Sequence, residues 1–268
     1  MCLGSHNVSE FWSNAWMTNN TGWKMGERCA PFTRNLYAFL QGAGLVAAEK
    51  PRENESNEDT SKKHEAVRCF LAKKTVLVPL CGDSAVLSYM VDCGVRHVVG
   101  ADLNDQALTL QREREKNFKH LSFESKILDI VAGVADTVVM HEATFGESRV
   151  TLFHGDIIKL PYFDAYNTLK VDFMYDRAAM MAIPPELRKA YVQAVTKVLT
   201  PTAGVAYERM VSVLPEERNW GPPFMVDMEN VLQMYKEATG REYASVLVLA
   251  DDVDSTSQPE WYATRPRG

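Results

Sequence analysis

The run Thr75-Val-Leu-Val-Pro-Leu-Cys-Gly-Asp-Ser84, followed by Val98-Val-Gly-Ala-Asp102, decides the fold. It reads as an apolar strand, a turn with one glycine, a helix capped by Ser84, and a second apolar strand that ends on an acid. Strands this continuously apolar belong in a sheet covered by helices on both faces. An acid closing the second strand is where nucleotide-binding sheets hold a ribose by its hydroxyls. Asp102 lies 20 residues past Gly82, close to the usual spacing for that role.

The turn Leu80-Cys-Gly82 narrows the ligand further. A pyrophosphate needs several glycines so that backbone N–H groups can close in on it. A cofactor without phosphates needs only one, for backbone approach to an amino-acid tail and ribose. S-adenosyl-L-methionine is such a cofactor. A nicotinamide-dependent oxidoreductase is disfavoured by the same single glycine and by the lack of a second, substrate-binding domain.

Outward from this core, short β-rich runs alternate with helical ones. Strands are predicted at Val150–His154, Val171–Tyr175, Val205–Val213 and Tyr243–Ala250, with a last short one within Glu260–Thr264. Helices are predicted from Asn104 to about Phe118, from Pro185 to Leu199, and from the cap Asp227 to Gly240. Such alternation means an α/β fold with a doubly wound, mostly parallel sheet. Phe123–Thr144 fits either an inserted helix or a hairpin.

Upstream, Ser9 is expected to cap a helix through Trp16, and Pro31 to open another that ends at Gly42. Residues 46–67 lose periodicity and are polar and charged, which predicts a flexible surface insertion. The expected organisation is one domain over residues 1–268: a helical N-terminal cover (1–45), the insertion (46–67) and a Rossmann-like core (68–268).

Net charge is −6, from 29 basic and 35 acidic residues, which argues against a nucleic-acid partner. No apolar run approaches the roughly 20 residues that span a bilayer, and Met1–His6 lack the charged start and apolar centre of a signal peptide. Five scattered cysteines without a C-x-x-C pair fit a reducing compartment. Histidine spacing offers no metal site. A cytoplasmic monomer acting on a small molecule is the expectation.

Three further positions point toward chemistry. Asp156, in His154-Gly-Asp-Ile157, sits just past a strand, where a carboxylate can accept a hydrogen bond from an adenine amino group. A solvated loop aspartate is the plainer reading, as a helix N-terminal acid is for Asp102. Asp176-Arg177 ends an apolar strand, and ligands of open α/β sheets bind outside those ends; a structural ion pair is the alternative. Trp12 and Trp16 share a helical face and are either core or a lid over a sulfonium, which aromatic faces attract by ~1–2 kcal/mol once desolvated.

Five motifs in order carry a resemblance: Trp12-x3-Trp16-x4-Thr21-Gly22-Trp23, Pro79-Leu-Cys-Gly82, Val98-Val-Gly-x-Asp102, Asp176-Arg177-x-Ala179 and Gly221-Pro-Pro-Phe224. Together, from about Phe11 to Tyr235, they resemble the thiopurine S-methyltransferase family of S-adenosylmethionine-dependent enzymes. The resemblance implies a seven-stranded methyltransferase sheet under a helical cover. It implies that Trp12 and Trp16 contact the cofactor, that Leu80 and Gly82 line its site, that Asp102 holds the ribose, and that Asp156 and Ile157 flank the adenine. Arg177 then stands near the methyl acceptor with Asp176 orienting it. Trp23 and the loop from Leu214 to Phe224, with Pro222 and Phe224, would wall the acceptor pocket.

The departures are specific. Asp102 replaces the family's usual glutamate, Asp83 a common lysine, and Trp23-Lys24 a phenylalanine-histidine pair; the tail from Asp251 diverges, and a second acceptor-site arginine has no match. The implied activity is methyl transfer to a small thiol. Halide, thiocyanate, selenium, oxygen or nitrogen acceptors, or a non-catalytic cofactor-binding protein, stay open.

Overall fold

The computed structural model describes residues 5–18, 30–47, 57–114, 117–129, 137–208 and 222–243. Three helices come first: α1 (Ser5–Met17), α2 (Ala30–Gly42) and α3 (Asn57–Leu71). Then follow β1 (Thr75–Pro79), α4 (Ala85–Asp92), β2 (His97–Asp102), α5 (Asp105–Arg114), β3 (Glu124–Ile127), β4 (Val139–Phe145) and β5 (Ser148–His154). After these come α6 (Asp164–Asn167), β6 (Val171–Arg177), α7 (Ala179–Ala182), α8 (Arg188–Thr196), β7 (Leu199–Glu208) and α9 (Met228–Thr239).

The sheet has seven strands in the order β3-β4-β5-β2-β1-β6-β7. The block β5-β2-β1-β6-β7 is parallel, whereas β3 and β4 join antiparallel at one edge. The expected mostly parallel, helix-covered sheet is therefore present. Two of its seven strands come from the 123–145 segment, which resolves as a hairpin. The strand predicted at Tyr243–Ala250 and the one within Glu260–Thr264 lie outside the described residues beyond Tyr243.

Every residue of β1 is buried, as its unbroken apolar run demands. Alternate strand positions feed two cores. Val76, Val78, Phe173 and Tyr175 pack with α2, α3 and α4, while Leu77, Met174 and Tyr191 pack on the α8 and α9 side. Ser84 caps α4 by accepting from the Val86 N–H, Asn104 caps α5 by accepting from Ala107, and Asp227 caps α9 by accepting from Glu229. The α5 helix is described as far as Arg114, and the expected end at Phe118 lies in a turn over residues 117–120.

Two expectations near the N-terminus need correction. The first helix is already formed at Ser5, where the described residues begin, so Ser9 lies inside it and is not its cap. Residues 57–67 are not a flexible insertion but the greater part of α3, whose Val67 and Leu71 are fully buried beside α2. Polar composition hid this helix because only its last turn and a half carries an apolar stripe. The earlier turns are held by charge: Glu58 and Asp59 suit the N-terminal dipole, and Lys62 pairs with Glu58 at 2.9 Å one turn on. Residues 48–56 of the segment lie outside the described residues.

Candidate active site at the carboxyl edge of the sheet

The chain runs outward from β1 through β2 to β5 and returns to the other side of β1 as β6. Such a reversal opens a crevice at the carboxyl ends of the strands, where open α/β sheets bind ligands. The residues singled out by sequence and described in the structure line the turns that leave β1, β2, β5 and β6, or reach them from α1 and the 222–226 segment.

At the end of β1 the backbone turns through two left-handed residues, Leu80 (φ 46°) and Gly82 (φ 55°). Glycine adopts this region freely, but leucine does so at a cost of about 1–2 kcal/mol. Gly82 is favoured for a second reason: a Cβ there would stand 3.1 Å from Cζ2 of Trp16, which would have to give by a few tenths of an ångström. The indole of Trp16, 5% exposed, thus lies directly on this turn. Trp12, one helical turn away on the same face, donates its Nε1–H to the carbonyl of Ala182 at 3.2 Å. Helix α1 is thereby fastened to the turns after both β1 and β6.

Asp102, half-buried, ends β2. Its Oδ2 accepts from the Gly82 N–H at 2.8 Å, and its Oδ1 accepts from the Asn104 N–H at 2.8 Å. Burial raises its pKa, and these two backbone donors oppose that rise. Each oxygen has a lone pair beyond the one used, which suits a pair of vicinal ribose hydroxyls. On this donor and acceptor pattern, with glycine at the turn and no further glycines for a pyrophosphate, the residues fit S-adenosylmethionine. The next turn belongs to Asp156, whose Oδ1 accepts from the Ile158 N–H at 3.0 Å. Ile157 is buried beside it, and the Gly155 N–H donates to the Asp102 carbonyl at 3.0 Å, tying the two turns together.

The end of β6 departs from expectation. Asp176 does not orient Arg177. Neighbouring residues of a strand project to opposite faces, and Asp176 is fully buried on the α8 side. There its Oδ2 accepts from the Tyr191 hydroxyl at 2.6 Å, while Oδ1 accepts from the N–H groups of Ala179 at 3.0 Å and Met180 at 3.4 Å. Burial pushes its pKa up to about 6 against these donors. Asp176 is thus a cap for α7, the short helix that follows Ala178 in its left-handed conformation (φ 60°). Arg177 instead lies 3.6 Å, Nε to Oε2, from Glu208.

Glu208 is the residue that sequence reasoning missed. Strand β7 is described as far as Glu208, which is in parallel register with Arg177; the rest of the strand predicted over Val205–Val213 lies outside the described residues. Reading the β6–β7 register, with ends aligned, would have found it. On the far side of α7, the Phe224 N–H donates to the Met181 carbonyl at 2.7 Å, so the 222–226 segment meets the same shelf as Trp12. Phe224 is buried and Pro222 half-buried. Trp23 and residues 209–221 lie outside the described residues.

Among the described residues no cluster of three His, Cys, Asp or Glu side chains is arranged to hold a metal ion. No helix among them is long and apolar enough to cross a membrane.

Comparison with known proteins bears on this edge. The family profile described as thiopurine S-methyltransferase matches residues 53–262. A thiopurine S-methyltransferase of Vibrio vulnificus is 26% identical over 228 residues, covering 85% of this chain and 81% of that one. One from Shewanella woodyi is 33% identical over 158 residues, covering 59% and 63% respectively. Among solved structures, a TehB-like SAM-dependent methyltransferase from Corynebacterium glutamicum shares 11% identity over 78% of this chain and 83% of that one at a TM-score of 0.39, a likeness on which no conclusion rests.

Proposed function

The chain belongs to the thiopurine S-methyltransferase family and is an S-adenosylmethionine-dependent methyltransferase; from that premise we propose that its methyl acceptor is a small thiol. The observation that carries this reading is the convergence of Asp102, Trp16 on Gly82, and Arg177 on adjacent turns of one edge. When bound, the sulfonium supplies a methyl carbon with its own leaving group: the acceptor sulfur bonds to that carbon, the old carbon–sulfur pair stays with the departing sulfur, and the thiol proton goes to solvent.

The protein's contribution is then alignment and exclusion of water, which can lower a barrier by several kcal/mol. Asp102 accepts the ribose hydroxyls and sets how deep the nucleoside sits. Trp12 and Trp16 hold α1 across the edge as an aromatic wall. An alkyl thiol has a pKa near ~8.5 and needs little help from a base, so Arg177 acts by favouring negative charge on the acceptor sulfur. Pro222 and Phe224 support the wall on the α7 side, and Asp156 with Ile157 flanks the adenine.

The test is labelled-methyl transfer over a panel of thiols, phenols and amines, run beside calorimetry with S-adenosylhomocysteine. Thiols should be the preferred class. Arg177→Ala should lower turnover with a saturating thiol far more than it weakens cofactor affinity; unchanged turnover removes Arg177 from the acceptor site.

A further inference from the structure

Glu208 meets Arg177 from the neighbouring strand and is itself firmly held. Its Oε1 accepts from the Tyr175 hydroxyl at 2.8 Å and from Nδ2 of Asn35 at 3.1 Å, and its backbone carbonyl accepts from the Ala178 N–H at 2.9 Å. Two elements, β6 and α2, therefore hold the carboxylate, and the turn into α7 holds the backbone beneath it. The side chains of Arg177 and Glu208 are 28% and 24% exposed, so solvent screens the pair only in part.

We infer that Glu208 is a specificity-determining residue of the acceptor edge: by neutralising and orienting Arg177, it favours nucleophiles that arrive uncharged, such as thiols and thiones, over permanent anions such as halide and thiocyanate. The inference rests on methyl transfer to a small nucleophile and adds which charge class of nucleophile the site admits. A bound sulfonium beside a lone guanidinium would present two positive charges, an arrangement suited to concentrating anions. The Glu208 carboxylate removes one of them and adds repulsion toward any anion approaching Arg177. A neutral thiol meets no such opposition. Once inside it releases its proton to solvent, and the guanidinium favours the thiolate that attacks.

The experiment compares kcat/KM for a neutral thiol, 2-mercaptoethanol, with kcat/KM for iodide and thiocyanate. Glu208→Gln should raise the anion-to-thiol ratio by about tenfold, the size expected for deleting one charge several Å away in a partly screened site, with S-adenosylhomocysteine affinity unchanged. Glu208→Asp, which keeps the charge, should stay near the wild-type ratio. Asn35→Lys places a cation beside the same carboxylate from the half-buried face of α2, and should move the ratio in the direction of Glu208→Gln even if that variant folds poorly. A loss of fold or affinity alone would scale both acceptors together and leave the ratio flat. Equal ratios in wild type, Glu208→Gln and Asn35→Lys would overturn the inference while leaving methyl transfer intact. Absence of product from every acceptor would remove the methyl-transfer reading and the inference with it.

Discussion

Strands β2 and β6 flank β1, and each carries an aspartate in one of its last two residues that serves a different purpose. Asp102 is half-buried; both its oxygens are braced by backbone N–H groups, yet each keeps capacity for another donor at the crevice. Asp176 is fully buried on the α8 face, with its oxygens given over to Tyr191 and the first turn of α7. The next residue, Arg177, projects to the opposite face and meets Glu208. The same residue type near two strand ends thus keeps acceptor capacity open to the crevice in one case and holds up the floor in the other. The face of the sheet decides which.

The contrast can be broken most forcefully at Asp176. Asp176→Ala leaves a buried tyrosine hydroxyl and helix N–H groups without acceptors, and should destabilise the fold by about 3 kcal/mol in urea denaturation. Asp102→Ala should cost less than half of that, because water can replace the carboxylate at a half-buried turn. Similar losses from both would erase the distinction.

A second expectation concerns pH. The Asp176 pKa of about 6 lies above its ordinary 3.8. Between those values the folded protein holds a proton that the unfolded chain has released. Stability from this group is therefore complete below about pH 4, is lost as pH rises to about 6, and is flat beyond, a fall of up to roughly 3 kcal/mol. Asp176→Asn should flatten that part of the stability–pH curve relative to wild type, and an unaltered curve would show that the carboxyl titrates alike in the folded and unfolded chain.

At Asp102 the readout is affinity. Asp102→Asn should weaken S-adenosylhomocysteine binding by about tenfold in calorimetry, as expected for one charged hydrogen bond made neutral. Asp102→Glu, the usual family residue, should stay within a few-fold of wild type. The smallest effect is expected at Ala178, whose φ of 60° strains the junction between Arg177 and α7. Ala178→Gly relieves that strain but gains unfolded-chain entropy, so thermal melting should shift by no more than about 1 kcal/mol in either direction.

The parallel core was legible because Thr75–Pro79, His97–Ala101 and Val171–Tyr175 are apolar on both faces, and because one glycine and one acid stand at the right places around them. The 123–145 segment was left between helix and hairpin, since the outer strand of the β3–β4 hairpin is polar, exposed and held by pairing across to β4. Helix α3 escaped for a related reason: its stability comes from local charge and one buried last turn. Within the site, Asp102, Gly82 and Arg177 could be placed from sequence. The partner of Arg177 could not, because adjacency in the chain pointed to Asp176 whereas adjacency in space belongs to Glu208 on another strand.

What the sequence determined alone was local: which runs become strands, where Ser84, Asn104 and Asp227 start helices, and which turn needs a glycine. These follow from short-range sterics, capping and the two-residue period of a strand. Tertiary structure alone decided the pairings across the edge: Trp16 on Gly82, Trp12 on Ala182, Tyr191 on Asp176 and Glu208 on Arg177. Those contacts depend on strand register and on which face each side chain meets, and both are fixed only when distant segments pack together.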